Sequence, residues 1–272
     1  MKYGLSSPRI GDGNPTMDHS VAAIYPDLEG KPVLVTGGGS GIGASIVRAF
    51  ARQKARVGFL DIAREPSVRL VEELTSQGFS VTYEYCDVTD IDALREAIGR
   101  IRAVNGPVRV LINNAAHDDR HATESVTPEY WDDRIAVNLK HQFFAAQAVL
   151  PDMQAAQDGA IVNFGSISWM TGQGGMPVYT ASKSAVLGLT RALARDYGSY
   201  NIRVNSLAPG WIMTERQVEK WLTPQGEADL MKAQCLKRKL YPDDIAKVAV
   251  FLASEEAGAC TSQQFIADGG RV

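Results

Sequence analysis

The chain is poor in what would mark several large protein classes. Only three of its 272 residues are cysteine, Cys86, Cys235 and Cys260. An odd, widely spaced set excludes a disulfide framework and a paired-cysteine metal knuckle, and fits thiols kept reduced in a cytosol. The four histidines form no His-Glu-x-x-His pattern, so no metal site is expected. No apolar run approaches the ~20 residues of a membrane span. Charge of neither sign is in excess, with 28 basic residues against 31 acidic; neither nucleic acid nor an anionic membrane is an expected partner. Internal repeats and low-complexity linkers are missing. Residues 1–22 hold Pro8, Gly11, Gly13 and Pro15 but lack the apolar core of a signal peptide. They read as a flexible tail ahead of one domain over residues 23–272.

What is present begins with a glycine-rich turn, Thr36-Gly-Gly-Gly-Ser-Gly-Ile-Gly43. Apolar, β-branched Val33-Leu34-Val35 precedes it as a buried parallel strand, and Ala44 to Ala51 follows with helical spacing. Strand, glycine turn and helix form the context in which such a turn binds a dinucleotide pyrophosphate at a helix N-terminus. A second apolar strand, Val57 to Leu60, ends in Asp61, eighteen residues after Gly43. A carboxylate there would grip ribose hydroxyls and repel a 2′-phosphate, which favours NAD over NADP. Arg64 is the one contrary charge nearby.

Alternation continues along the chain. Helices are expected at Pro66–Gln77, Asp90–Val104, Pro128–Met153, Met176–Ala194 and Pro242–Ala253. Strands are expected at Ser80–Cys86, Val108–Ile112, Ala160–Phe164, Ile202–Leu207 and Gln263–Ala267. With the two strands above this gives an α/β fold, a doubly wound seven-stranded parallel sheet with helices on both faces. Ligands then belong at the carboxyl ends of the strands, where Asn113, Asn114, Ser166 and Pro209 fall. Tyr179 and Lys183 lie four residues apart on one predicted helix, so they share a face. A neighbouring ammonium should lower the tyrosine pKa from its usual ~10 and make the phenol a usable acid/base.

These motifs together resemble the short-chain dehydrogenase/reductase family over roughly residues 28–272. The glycine turn matches through Gly37, Gly39, Ser40, Gly41, Ile42 and Gly43. Cys86-Asp87-Val88 matches the acidic segment at the adenine, and Asn113-Asn114-Ala115-Ala116 the family's NNAG, with Ala116 replacing glycine. Pro209, Gly210, Ile212 and Thr214 match the segment closing on the nicotinamide. The resemblance implies a Rossmann-type dehydrogenase domain, NAD as cofactor and a catalytic set of Ser166, Tyr179, Lys183 and Asn138. Tyr179 would be the base, Lys183 would hold the ribose and tune the phenol, and Ser166 would orient the reacting oxygen. Asn138 would support a water beside the lysine. It also implies a cytoplasmic homotetramer, with the helix from Pro128 packed on a two-fold axis.

The substrate side carries Asp118-Asp-Arg-His121, Ser166-Ile-Ser-Trp169 and the stretch around Trp211 and Trp221. Polar groups with amphipathic aromatics suit a polyhydroxylated ligand better than a greasy one. With Ile24-Tyr-Pro26, Phe59 to Ala63, Tyr130-Trp131 and Gln234 to Lys237, these stretches resemble the bacterial NAD-dependent sugar 1-dehydrogenases. That resemblance implies oxidation of an aldose at its anomeric carbon to the lactone, with D-xylose first and L-arabinose, L-rhamnose, L-fucose and galactose as alternatives; a ketoreductase of small carbonyl compounds would share the same catalytic residues. Ser166, Ser168, Trp169, Tyr179, Asp118, Arg120 and Trp211 are the expected sugar contacts.

Overall fold

The computed structural model describes residues 23–272, so the tail expected at residues 1–22 lies outside the described residues. The first half of the sheet is β1 (Pro32–Thr36), β2 (Arg56–Asp61), β3 (Val81–Tyr85) and β4 (Val110–Asn113). It continues with β5 (Gly159–Phe164), β6 (Ile202–Pro209) and β7 (Gln264–Ala267). The strands lie in the order β3-β2-β1-β4-β5-β6-β7, every neighbouring pair parallel. The order reverses between β1 and β4, which opens a crevice above their carboxyl ends.

The central strands are apolar at successive positions because both faces are covered. Strand side chains alternate between faces, so Val33 and Val35 join one core and Leu34 the other. The first core is closed by α1 (Gly41–Arg52), α2 (Arg64–Ser76) and α9 (Pro242–Ala253), with Phe50, Leu70 and Ile245 among its buried side chains. The second is closed by α3 (Ile91–Asn105), α5 (His141–Ala156) and α6 (Pro177–Tyr197), through Ile98, Val149 and Leu193. Asp90 caps α3, its carboxylate accepting from the backbone N–H groups of Asp92 and Ala93.

Two features depart from expectation. The single helix expected at Pro128–Met153 is instead α4 (Pro128–Ile135), a π-turn at Ala136–Lys140 and then α5. Apolar periodicity alone does not register the extra residue of a π-turn, and such turns occur mostly at functional sites. The stretch after β6 also folds, as α7 (Glu215–Lys220) and α8 (Pro224–Ala233), capped by Thr214 and Thr223.

Candidate active site

The glycine turn leaves β1 and enters α1 with Gly37 and Gly41 at φ +67° and +53°, a region that favours glycine. A Cβ on Gly43 would sit 1.8 Å from the Gly37 carbonyl oxygen; the turn closes only because that position has no side chain. Asp61, at the end of β2, accepts from the Gly39 N–H at 2.7 Å and the Ala63 N–H at 2.8 Å. Asn114 ties the turn to β4, its amide donating to the carbonyls of Thr36 and Gly37 at 3.1 and 2.8 Å. The Thr36 hydroxyl accepts from the N–H groups of Asn114 and Ala115. Asp87 accepts from the Thr89 N–H and hydroxyl.

One cavity of about 760 Å³ runs along this crevice. Gly37, Ser40, Ile42, Gly43, Asp61, Asp87 and Val88 line it, as do Asn114, Ala115, Ala116, Pro209, Gly210, Ile212 and Thr214. Gly39 and Gly41, expected at the cofactor, are not in the wall and shape the turn instead. A Cβ on Gly39 would meet the Ser67 hydroxyl at 2.3 Å and the Asp61 carboxyl carbon at 3.0 Å. The close backbone, the α1 N-terminus and a ribose-side carboxylate in one groove fit a dinucleotide. Among the described residues no cluster of His, Cys, Asp and Glu could hold a metal ion.

Ser166, Tyr179 and Lys183 meet at the far end of the same cavity. Lys183 is 1% exposed, and its ammonium donates to the Phe164 carbonyl at 2.8 Å. Burial brings its pKa down to about 7, with Asp118 opposing. Burial also pushes the Tyr179 phenol up to about 12, reinforced by Asp118, while a hydrogen bond with Ser166 and the charge of Arg120 pull down. Burial therefore outweighs the depression of the phenol expected from Lys183. Lys183 Nζ lies 5.8 Å from the phenol ring centre, and desolvation outweighs the pair.

Asn138 is fully buried and does not reach the cavity wall. Its side chain clamps a backbone segment, accepting from the His117 N–H at 2.9 Å and donating to the carbonyls of His117 and Arg134, each at 3.0 Å. Its own carbonyl accepts from the Gln142 amide at 3.2 Å. The side chain thus holds the loop after β4.

Of the expected sugar contacts, Ser166, Ser168, Tyr179, Asp118, Arg120 and Trp211 line the cavity, and Trp169 does not. The Trp169 indole N–H is buried without a partner among the described residues. Arg216 and Gln217, which sequence reasoning missed, complete that wall. Arg216 lies 3.3 Å from Asp118 and 2.5 Å from Asp119. Gln217 donates to Asp118 at 2.7 Å and accepts from the Trp211 indole at 2.9 Å. Both belong to α7, whose six residues are too few for a readable period; the signal available was Thr214 as an N-cap. Arg120 donates to the Met176 sulfur at 3.1 Å and stacks over Trp221.

A family model described as enoyl-(acyl carrier protein) reductase matches residues 37–271. The chain is 47% identical over 249 residues to D-xylose 1-dehydrogenase of Caulobacter vibrioides (strain NA1000 / CB15N), covering 92% of this chain and 98% of that protein. It is 49% identical over 247 residues to the probable galactose dehydrogenase GalD of Rhizobium meliloti (strain 1021), covering 90% and 96%. Among solved structures it is similar to a gluconate 5-dehydrogenase from Burkholderia cenocepacia J2315 in complex with NADP and tartrate. That match has 30% identity, a TM-score of 0.85 and coverage of 91% of this chain and 97% of that one.

Proposed function

We propose that this chain, which belongs to the short-chain dehydrogenase/reductase family, oxidises the C1 hydroxyl of an aldose, D-xylose first, with NAD, releasing the lactone. The observation that carries the reading is the polar lining that shares the cavity with Ser166 and Tyr179. Asp118, Arg120, Arg216, Gln217 and Trp211 border it, where a substrate of low polarity would need apolar side chains. A site built to hydrogen-bond hydroxyls rejects analogues lacking them by large factors. The relatives named above support the same class.

NAD, when bound, supplies the hydride acceptor and a ring cation. Gly37 to Gly43, Asp61, Asp87 and Asn114 would hold it along the groove. Asp61 already presents its carboxylate to the turn, and Arg64 is engaged against the Tyr85 ring, 3.9 Å from its centroid. That arrangement supports NAD over NADP. Ser166 would hydrogen-bond the reacting C1 oxygen and orient it. Tyr179, as phenolate, would take the hydroxyl proton, and the Lys183 ammonium beside it would stabilise that phenolate.

The experiment follows absorbance of the reduced cofactor with NAD and NADP against D-xylose, D-galactose, other aldoses, medium-chain alcohols and a 3-oxoacyl thioester. The expected result is highest kcat/KM with D-xylose and NAD. Turnover of alcohols or oxoacyl substrates with no aldose oxidised would overturn the reading. D-galactose in first place would favour the hexose alternative, which the 49% relative supports. A homotetramer in the cytoplasm belongs to the same proposal. It is supported by the exposed Trp131 on α4 and Phe143 on α5 and by three free cysteines.

A further inference from the structure

Gln142 is fully buried one turn after Asn138, yet it is polar and outside the cavity wall. Its side-chain N–H group donates to two carbonyls, Phe164 at 3.3 Å and Asn138 at 3.2 Å. Phe164 O is the acceptor that Lys183 Nζ uses at 2.8 Å. The next N–H along the same peptide, that of Gly165, donates to Leu207 O at 2.8 Å. This peptide is thus fixed from β6 on one side and from α5 and α6 on the other, and it leads directly into Ser166. Gln142 is held in turn, its backbone carbonyl accepting from the Asn113 amide at 3.1 Å. That amide also donates to Asn163, whose own amide donates to Thr190 on α6.

The Gln142 side-chain oxygen, by contrast, is buried with no partner among the described residues. An unpaired buried acceptor destabilises the fold, so an apolar residue of this length would serve packing better. The π-turn at Ala136–Lys140 ends two residues before Gln142, and such turns concentrate at functional sites.

We propose that Gln142 is a positioning residue for the reaction, acting through the Phe164 carbonyl on Lys183 and through the same peptide on Ser166. The role rests on the dehydrogenase reading of the Ser166, Tyr179 and Lys183 set. A carbonyl oxygen has two lone pairs, and a second donor on it makes it a weaker acceptor for the ammonium. Gln142 therefore holds the lysine in place while favouring its neutral form. The titratable groups in electrostatic reach of Lys183 are Asp118 and His141. Tyr179 lies beside it. Buried His141 has its pKa brought down to about 3 by burial, so it stays neutral and does not compete.

The test is Gln142→Met, of similar length without donor or acceptor. Expected are a fall in kcat of about 10- to 100-fold, the scale of a small misplacement of a catalytic group, and KM for sugar and NAD within about threefold. Thermal stability should be unchanged or raised, and the pH at which kcat rises should move upward by about half a unit. NMR titration of labelled lysine side chains should show Lys183 Nζ moved upward in the same variant, a readout that needs no substrate. Wild-type kcat, or a loss of activity with a parallel loss of stability and an unmoved Lys183 titration, overturns the role. A wild-type protein that oxidises no aldose overturns the sugar reading alone, because the lysine titration still decides Gln142.

Discussion

Lys183→Met should make the protein more stable near neutral pH while abolishing turnover. In the folded chain burial brings the Lys183 pKa from 10.5 down to about 7. At ~1.4 kcal/mol per pH unit, keeping this side chain buried at pH 7 costs about 4 kcal/mol. Methionine has similar length and no charge, so it escapes that cost. It gives up the hydrogen bond to Phe164, worth ~1–1.5 kcal/mol. The balance favours the variant by about 3 kcal/mol, or roughly 6–12 °C in Tm for a chain of this size. The sign with pH is set by proton counts. Between about pH 7 and 10.5 the unfolded chain holds a proton on Lys183 that the folded chain has lost, so wild-type stability rises with pH across that window. The advantage of methionine is therefore largest at and below pH 7 and vanishes toward 10.5, where the lost hydrogen bond leaves the variant slightly weaker. Thermal unfolding followed by far-UV circular dichroism at about pH 6.5, 8 and 9.5 reads this directly. A variant less stable than wild type at pH 6.5, or a gap that does not change with pH, would refute the reasoning.

Tyr179→Phe should keep NAD affinity within about threefold and lose kcat by at least the ~10²–10⁴-fold of a missing general base; more than a tenth of wild-type activity would place the proton acceptor elsewhere. Asp61→Asn should relax the preference for NAD. Unit charges ~5 Å apart interact by about 3 kcal/mol at an effective dielectric near 20, so the kcat/KM ratio for NADP over NAD should rise ~100-fold. An unmoved ratio would remove Asp61 as the ribose anchor. Arg216→Ala should raise KM for the sugar several-fold more than KM for NAD, because Asp118 and Asp119 lose the cation that ties them to α7; equal effects on both would mean the wall does not touch the sugar.

The strands were readable because both faces of this sheet are covered. Continuous apolar runs such as Val33-Leu34-Val35 have few alternatives to burial, and observed strand ends differ from expectation by only a residue or two. The cofactor groove was readable for a related reason. Its chemistry is carried by short segments at strand ends, where a glycine, a carboxylate or an asparagine has one geometrical purpose. Three-dimensional crossings were not. That Arg216 and Gln217 would meet Asp118 depends on a helix and a loop nearly a hundred positions apart in the chain. Nothing in the local pattern of either segment encodes the meeting. Trp169 shows the converse: its place beside Ser166 in sequence suggested the cavity, but the 3₁₀ turn Ile167–Trp169 carries the indole away from the wall.

The Tyr179–Lys183 pair shows how far residue spacing can be trusted. Four-residue spacing on a helix does bring the two together, with the ammonium 5.8 Å from the ring centre. Their effect on each other, however, depends on the medium between them and the charge each actually carries. Spacing implies a cation beside a phenol in water, which would make the phenol more acidic. Burial reverses this, because it opposes both charged forms at once: the phenol rises to about 12 and the lysine falls to about 7. The lysine's fixed partner is then a backbone carbonyl rather than the tyrosine. A group that shares that carbonyl is placed to adjust the charge further, and Gln142 on α5 shares it. A motif in the sequence identifies the reacting groups, whereas the proton balance between them is set first by burial and then adjusted by a residue thirty-seven positions from the tyrosine and outside every motif.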